Sequence, residues 1–139
     1  MTVSSSALSA ERTRMNLISS NLANANATRT PEGGPYKRKD AVFSATPMEN
    51  RFSRFLDGAT AKQVTTVEIS EIVEDKNPPR LQYEPHHPDA NPEGYVAMPN
   101  VNVVEEMADM IGATRTYEAN VTAVQSAKSM ALKTLEIGK

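Results

Sequence analysis

Residues 102–138 have the sequence NVVEEMADMIGATRTYEANVTAVQSAKSMALKTLEIG, and this stretch decides the fold of the chain. Mostly apolar positions recur in it at alternating steps of three and four residues, which is the heptad pattern of a helix with one apolar stripe. The stripe consists of Val103, Met107, Met110, Thr114, Tyr117, Val121, Val124, Lys128, Ala131 and Leu135, flanked by Val104, Ile111 and Leu132. Asn102 can cap the start of the helix with Glu105 as its capping-box partner, and Gly138 can end it in a left-handed turn. The pattern predicts one long C-terminal helix.

Such a helix would be roughly 50 Å long at a rise of about 1.5 Å per residue. That is longer than a small domain is wide, so we expect the chain's own core to leave part of the stripe uncovered and helices of other chains to cover it. Small residues on this helix offer surfaces that allow helices to approach closely; they are Gly112, Ala113, Ala119, Ala123 and Ala127. Thr114 and Lys128 lie within the stripe, which argues against a simple, tight dimeric coiled coil.

The length and composition limit the classes of protein to which the chain can belong. A length of 139 residues is enough for one domain, with or without extensions. Hydrophobic residues make up 39% of the chain and Trp is absent, so we expect a thin core. The net charge of −2 gives no general electrostatic reason to bind nucleic acid or an anionic membrane. The lack of Cys excludes disulfides. No apolar run approaches the ~20 residues that span a bilayer, and no cleavable signal peptide is visible in the sequence.

A second amphipathic segment lies at the N-terminus, from about Ser4 to Ala27. Its inward positions step by three and four residues and are Leu8, Glu11, Met15, Ile18, Leu22 and Ala25. A helix of this length is marginal in water on its own. The two terminal helices could pair in antiparallel fashion, but the C-terminal helix is longer and much of its stripe would stay exposed.

The middle of the chain changes character, because eight of the nine prolines fall between residues 28 and 98. Alternation and β-branched residues predict short strands there, and Arg51–Leu56 is compatible with a helical turn or a loop. The predicted strands are Ala41–Phe43, Val64–Glu74, a short one containing Leu81 and Tyr83, and Tyr95–Met98. We therefore predict an α+β fold in which a small antiparallel β module separates two long helices that lie next to each other rather than next to the module. The predicted segments are residues 1–29, 30–98 and 99–139.

Few residues suggest catalytic or metal chemistry. His86 and His87, with Glu84 and Asp89 nearby, form a metal-like cluster, but adjacent histidines on an extended chain point to opposite sides and solvated loop residues are the better interpretation. The basic residues 37–39 are interpreted as a solvated turn. No nucleophile motif and no phosphate-binding glycine loop is present. We expect a protein that is not an enzyme and has no cofactor and no metal.

Several motifs are similar to those of the bacterial flagellar rod and hook proteins. The N-terminal one is ISSNLANANAT at residues 18–28, and the C-terminal ones are PNVNV at 99–103 and ATRTYEAN at 113–120. Four further motifs resemble the proximal-rod members of this family: TPEGGPY at 30–36, HPDAN at 87–91, GYVAMPNV at 94–101 and KSMALKTL at 128–135. The resemblance covers nearly the whole chain. One departure is expected at the N-terminus, where family members usually carry additional residues before the stretch that matches Ser6–Leu8.

The resemblance implies a structural subunit of the basal-body rod, which polymerises through its terminal helices into a helical drive shaft that transmits torque. It implies export through the flagellar type III apparatus without cleavage of a signal peptide, and a place in the rod that spans the periplasm. The implied partners are copies of itself, other rod proteins, the export apparatus, the basal-body ring and hook-side axial proteins. An alternative from the residues alone is a soluble coiled-coil adaptor that binds one partner and forms no filament.

The apolar stripes and the resembling motifs together define a predicted assembly interface. Its sixteen members lie on the two terminal helices. They are Leu8, Met15, Ile18, Asn21, Leu22, Asn24, Val103, Met107, Met110, Ile111, Tyr117, Asn120, Val121, Val124, Leu132 and Leu135.

Overall fold

The computed structural model describes residues 2–47 and 65–138 of the chain. In chain order its elements are α1 (Thr2–Ala23), β1 (Lys39–Pro47), β2 (Thr65–Glu74), β3 (Arg80–Tyr83), β4 (Tyr95–Met98) and α2 (Val103–Ile137). This architecture confirms the predicted α+β fold with a small antiparallel β module between two long helices. The predicted segment Arg51–Leu56 and the first residue of the predicted second strand, Val64, lie outside the described residues.

The two helices pair in antiparallel orientation. Near the end of α1, the Asn21 Nδ2 donates to Glu106 Oε2 of α2 at 3.2 Å, and further back the Thr114 hydroxyl lies 3.9 Å from the Met15 sulfur. Positions closer to the N-terminus of α1 therefore lie opposite positions closer to the C-terminus of α2. If this register continues, the first helical residue, Thr2, lies opposite about residue 127 of α2, because both helices rise by about 1.5 Å per residue. The last third of α2 thus extends beyond the start of α1.

The strands β1 and β2 form an antiparallel pair that packs against α1. Pairing runs from Lys39 opposite Glu74 to Pro47 opposite Thr65, with a register shift between Val42 and Phe43. Such a shift inserts an extra residue, which bends the pair and increases its twist.

Contact with α1 is direct on both strands. The Val67 amide of β2 donates to the Ser6 hydroxyl at 3.3 Å, and the Arg14 guanidinium lies 5.9 Å from the centre of the Phe43 ring of β1. The prediction that the helices lie next to each other rather than next to the β module was therefore wrong for α1. A two-stranded pair is marginally stable alone, so its half-buried apolar residues need this helix as a support.

The strands β3 and β4 form a second antiparallel pair, with Arg80 opposite Met98 and Tyr83 opposite Tyr95. The loop between them ends at Gly94, whose φ of +83° favours glycine. A Cβ atom at this position would lie 2.8 Å from Cε2 of Tyr83, so a side chain there would displace the ring. Gly94 therefore leaves room for the Tyr83 ring beside the loop.

The core is thin, as the composition predicts. The buried hydrophobic residues among those described are small or β-branched: Ala10, Ile18, Ala25, Val96, Val101 and Ala113. At the start of α2 the Asn102 side chain accepts a hydrogen bond from the Val104 amide at 3.1 Å, which confirms the predicted N-cap. At its end, however, Gly138 has a φ of −85° and not the predicted left-handed conformation. Its amide instead bonds the Thr134 carbonyl at 3.2 Å, which continues the helical pattern by one residue.

Enlarging a buried alanine on α2 tests the helix pair. Ala113 is buried on the side of α2 that meets α1, whereas Ala119 on the same helix is exposed. We expect Ala113→Leu to lower the free energy of unfolding by about 1–3 kcal/mol, because the larger side chain forces the helices apart. Ala119→Leu is the matched control and should change it by less than about 0.5 kcal/mol. Thermal unfolding followed by circular dichroism measures both, and equal effects would contradict the described packing.

Candidate assembly interface

One continuous face of α2 is turned toward α1. Glu106 and Ala113 are buried on it, and the half-buried positions follow at helical spacing: Asp109, Met110, Thr114, Tyr117, Asn120, Val121, Val124 and Ala127. Steps of three and four residues place all of them on one side of the helix. The central part of the predicted stripe, from Met110 to Val124, therefore contributes to packing within the chain.

The predicted residues of α1 belong to the same packing. Ile18 and Asn21 are buried, whereas Leu8, Met15 and Leu22 are half-buried. Half-buried Asn24 follows the end of the helix and donates from Nδ2 to the Ser20 carbonyl at 2.9 Å, which closes the last turn. These side chains are at least partly covered by the chain itself.

Five members of the predicted interface are exposed instead. They are Val103, Met107, Ile111, Leu132 and Leu135, all on α2. The remaining eleven are buried or half-buried. The structure thus separates the predicted set into a group that contributes to the chain's own fold and a group that is free to contact another molecule. A role in assembly stays a prediction for all sixteen.

The C-terminal part of α2 is exposed on every side. We call residues 128–137 the tail; every residue in it is exposed, including Leu135 at 70% and Ile137 at 86%. The apolar residues Met130, Ala131, Leu132, Leu135 and Ile137 are spread over more than half of the helix circumference, because successive residues are rotated by about 100°. Helices that are apolar over so wide an arc are normally buried.

A polar cluster joins both helices to β1 at the other end of the helix pair. The Asn21 amide donates from Nδ2 to the Lys39 carbonyl at 2.9 Å and to Glu106 Oε2 at 3.2 Å. Its Oδ1 accepts from the Lys39 amide at 2.9 Å and from the Tyr36 hydroxyl at 3.0 Å. Arg38 completes the cluster with an ion pair from Nε to Glu106 Oε1. We refer to these five residues as the polar cluster.

The polar cluster is buried and well satisfied, so it constrains geometry. Asn21 and Glu106 are each 1% exposed. Removal of a carboxylate from water is costly unless it is paired and hydrogen-bonded, and Glu106 has both kinds of partner. The hydrogen bond to Glu106, the attraction to that carboxylate and the nearby Asp40 raise the pKa of the Arg38 guanidinium above its ordinary value, whereas burial opposes them. Arg38 thus stays charged, and the pair is maintained.

Arg38 corrects one interpretation of the sequence. The basic residues 37–39 were expected to form a solvated turn, but Arg38 is bound to Glu106 and to Asp40 at 3.3 Å. The sequence contained a partial signal. Glu106 lies four and seven residues before Met110 and Ala113, on the core-facing side of the predicted helix, and a carboxylate there requires a partner. The identity of that partner depends on contacts between residues 68 positions apart in the chain.

Glu11 lowers the stability of the packing around α1. It belongs to the predicted apolar stripe of α1, and one of its carboxylate oxygens, Oε2, is buried with no hydrogen-bond partner within residues 2–47 and 65–138. An unsatisfied buried polar group costs about 1–3 kcal/mol.

Other kinds of site receive no support from the described ranges. No group of three or more His, Cys, Asp or Glu residues within them could hold a metal ion. His86 is exposed, and the Nδ1 of His87 accepts a hydrogen bond from the Asp89 amide at 3.1 Å, which shapes the loop. None of the helices within the described part of the chain is both long and apolar enough to cross a membrane.

Neutralising the buried carboxylate tests the polar cluster. We expect Glu106→Gln to lower the free energy of unfolding by about 2 kcal/mol, because hydrogen bonds to a charged group are replaced by neutral ones. Glu105→Gln is the matched control: it is exposed, one residue away and subject to the same helix dipole. Chemical denaturation measures the difference, and hydrogen exchange at the Lys39 amide reports the cluster directly. Equal stability of the two variants would show that the cluster contributes nothing.

Comparison with known proteins identifies the family. The sequence model described as "Flagella basal body rod protein" matches residues 1–29, and the one described as "Flagellar basal body rod FlgEFG protein C-terminal" matches residues 93–137. These two regions contain α1 and α2, the paired helices.

Curated relatives match along nearly the whole chain. Proteins named "Flagellar basal-body rod protein FlgC" are 43% identical over 145 residues in Borreliella burgdorferi, 44% over 146 residues in Bacillus subtilis and 39% over 137 residues in Salmonella typhimurium. The alignments cover 97%, 100% and 99% of this chain and 93%, 96% and 94% of the respective relatives. The predicted resemblance is confirmed: this chain belongs to the family of flagellar basal-body rod proteins, which are structural components of the bacterial flagellum.

Proposed function

We propose that this chain is a structural subunit of the proximal rod, which polymerises through its terminal helices into a helical drive shaft that transmits torque. Residues 1–29 and 99–139 are the assembly elements, and residues 30–98 form a module on the outside of the shaft. The proposal includes no catalytic step. It is supported by the names of relatives that align with nearly the whole chain, and by the exposed tail.

The tail is the observation that carries this proposal. About 25 cal/mol is gained for each Å² of apolar surface removed from water, so an uncovered apolar helix end favours association. Because its apolar residues extend over more than half of the circumference, one neighbouring helix cannot cover them all. Several neighbours can, and this is the situation of a helix within a tube wall. A closed dimer would leave part of the tail in water.

Transmission of torque needs stiffness and no chemistry. Paired helices packed into a continuous layer resist twisting because their side chains interdigitate at the density of a protein core. The polar cluster connects this layer to β1, so the outer module turns with the helices. The contacts between copies must be head-to-tail, because a self-complementary contact closes into a dimer and stops growth.

The proposed setting follows from the same family membership. We infer that the chain is exported by the flagellar type III apparatus without cleavage of a signal peptide and lies in the rod that crosses the periplasm. Its partners would be copies of itself, other rod proteins, the basal-body ring and hook-side axial proteins.

Removal of the tail tests the proposed function. A chain that ends at Lys128 keeps the whole contact with α1, because α1 starts opposite about residue 127. We expect its melting temperature to be nearly unchanged, while formation of polymers by the purified chain and incorporation into isolated rods are lost. Sedimentation, electron microscopy of the assemblies and immunodetection in isolated basal bodies are the measurements.

The control for this truncation keeps the tail apolar. Met130→Leu with Leu135→Met conserves volume and hydrophobicity, so assembly should persist. If the intact chain forms only a small closed oligomer and is missing from isolated rods, the adaptor hypothesis replaces the rod hypothesis. If the truncated chain still builds rods, the tail is not an assembly element.

A further inference from the structure

The strand β3 has an outer edge that nothing in the described part of the chain covers. The Glu84 amide donates to the Gly94 carbonyl at 2.9 Å, so these two residues form a hydrogen-bonded pair of the antiparallel ladder. Such pairs alternate along the strands, and Leu81 and Tyr83 therefore point their amides and carbonyls away from β4. Within the described ranges no hydrogen bond reaches these groups, and every residue of β3 is exposed. The edge is thus open for another strand.

The outer edges of the other three strands are at least partly capped. At the edge of β1, the Asn21 side chain bonds both the amide and the carbonyl of Lys39 at 2.9 Å. An amide of β2 donates to the Ser6 hydroxyl at 3.3 Å. At the edge of β4, the Asn91 amide donates to the Tyr95 carbonyl at 2.8 Å. Among the described strands, β3 is therefore the one whose edge carries no such cap.

One face of the β3–β4 pair is apolar and exposed. Alternation places Leu81 and Tyr83 on this face, and Tyr95 lies directly opposite Tyr83. These three residues are 62%, 63% and 41% exposed, whereas Val96 on the other face is fully buried. The two tyrosine rings pack edge to face at a centroid distance of 5.3 Å. A two-stranded pair is marginally stable alone, so added strands that extend this apolar face would stabilise it.

The segment 80–84 is complementary to its own reverse. When two copies pair in antiparallel fashion with Gln82 facing Gln82, Arg80 of each copy lies opposite Glu84 of the other. Leu81 of each copy then lies opposite Tyr83 of the other, so the outward amides and carbonyls of both copies bond each other. The carboxylate is already on the correct face, because Glu84 Oε1 accepts from Gln82 Nε2 at 2.8 Å.

Two prolines select this register. Pro79 and Pro85 flank the segment on either side. Proline has no amide hydrogen, so a shift of the register in either direction would place a proline where a donor is needed. The same shift would also separate Arg80 from Glu84 of the other copy. Prolines beside an edge strand normally limit its pairing, and here they leave one favourable arrangement.

We propose that the unassembled chain forms a two-fold dimer through β3, in which two β3–β4 pairs join into one four-stranded antiparallel sheet. The occupant of the edge is a second copy, because the charges and the bonding groups of segment 80–84 match those of the same segment reversed. A contact confined to this segment and the tyrosine face is small compared with the roughly 800 Å² per partner of stable complexes, so the dimer is reversible.

The two-fold symmetry of the contact distinguishes the dimer from the rod. A self-complementary contact closes, and its two copies point in opposite directions. Subunits of a shaft that grows from one end point in the same direction. The β3 dimer is therefore a state of the chain outside the rod, and this inference goes beyond the proposed function.

A single introduced cysteine tests the register, because the chain has no other cysteine. In the dimer the two Gln82 residues form a non-hydrogen-bonded pair with Cα atoms about 4.5 Å apart, which a disulfide can bridge. The two Leu81 residues are diagonal neighbours about 7–8 Å apart, which is too far. Under mild oxidation of the purified full chain, we expect Gln82→Cys to form covalent dimers about tenfold faster than Leu81→Cys on non-reducing gels. Each rate is divided by the rate at which a small thiol reagent modifies the same variant.

Exchanged charges test whether the occupant is a second copy. In the Gln82→Cys chain, Arg80→Glu places two carboxylates opposite each other at both ends of the contact, and Glu84→Arg places two guanidinium groups there. Like charges directly opposite each other are destabilising, so each variant alone should cross-link as slowly as Leu81→Cys. An equimolar mixture of the two restores opposite charges at both ends, and so does one chain that carries both exchanges. Both should cross-link like Gln82→Cys itself, and mass spectrometry identifies the mixed dimer.

The outcomes decide the inference in either direction. Circular dichroism and melting temperature first establish that every variant is folded. Equal corrected rates for Gln82→Cys and Leu81→Cys would overturn the register. Rapid cross-linking of either single-charge variant alone, or slow cross-linking of their mixture, would overturn the pairing of segment 80–84 with itself.

Isolated rods separate this inference from the proposed function. The reduced Gln82→Cys chain should be incorporated and should stay uncross-linked when the rods are oxidised, because the two-fold contact does not occur between subunits of one direction. Cross-linked dimers within rods would overturn the assignment of the contact to the unassembled chain, while the rod function stands. If the unmodified chain is itself missing from rods, the rod function fails, and the cross-linking of the purified chain is unaffected.

Discussion

The antiparallel contact between α1 and α2 is the interaction on which the rest of the structure depends. Alone, a 22-residue helix with a narrow apolar stripe is only marginally stable in water. The two-stranded β1–β2 pair that packs against α1 is also only marginally stable on its own. α1 packs against α2 on one side and the strands on the other, so each of the three elements stabilises the others. α2 has 35 residues against the 22 of α1, and its last part, the tail, is exposed.

The polar cluster performs a different task from the apolar contacts. Apolar surfaces tolerate sliding and rotation, whereas the bonds of Asn21 to the amide and carbonyl of Lys39 are directional. A buried ion pair adds little net stability, but its bonds need one particular arrangement of the partners, so it constrains the angle between the helix pair and the β1–β2 pair. The small core, in which Val96 and Val101 are among the few buried apolar residues, could not fix that angle alone.

Much of the fold could be predicted from the sequence because its signals are local. The heptad spacing predicted α2, the residue type at Asn102 predicted where α2 starts, and the alternation of side chains predicted the strands. The predictions that were wrong concern contacts between residues far apart in the chain. α1 packs on α2 with one face and on β1 and β2 with the other. The second face contains small residues such as Ala10, and small residues give no strong sequence pattern that would predict such packing. The site prediction identified the stripes, but their division into covered and exposed parts depends on the register of the helix pair. That register is fixed by contacts such as Met15 with Thr114.

The same register has a consequence for how the chain acquires its structure. Met15 and Thr114 are 99 positions apart, and Asn21 and Glu106 are 85 apart, so the helix pair forms by closing a loop that comprises more than half of the chain. Contacts of such high order form slowly, because the entropy of loop closure is lost before any contact is gained. A chain threaded N-terminus first through a narrow channel cannot complete this pair until its final third has emerged. The C-terminal helix is therefore the segment that completes the structure.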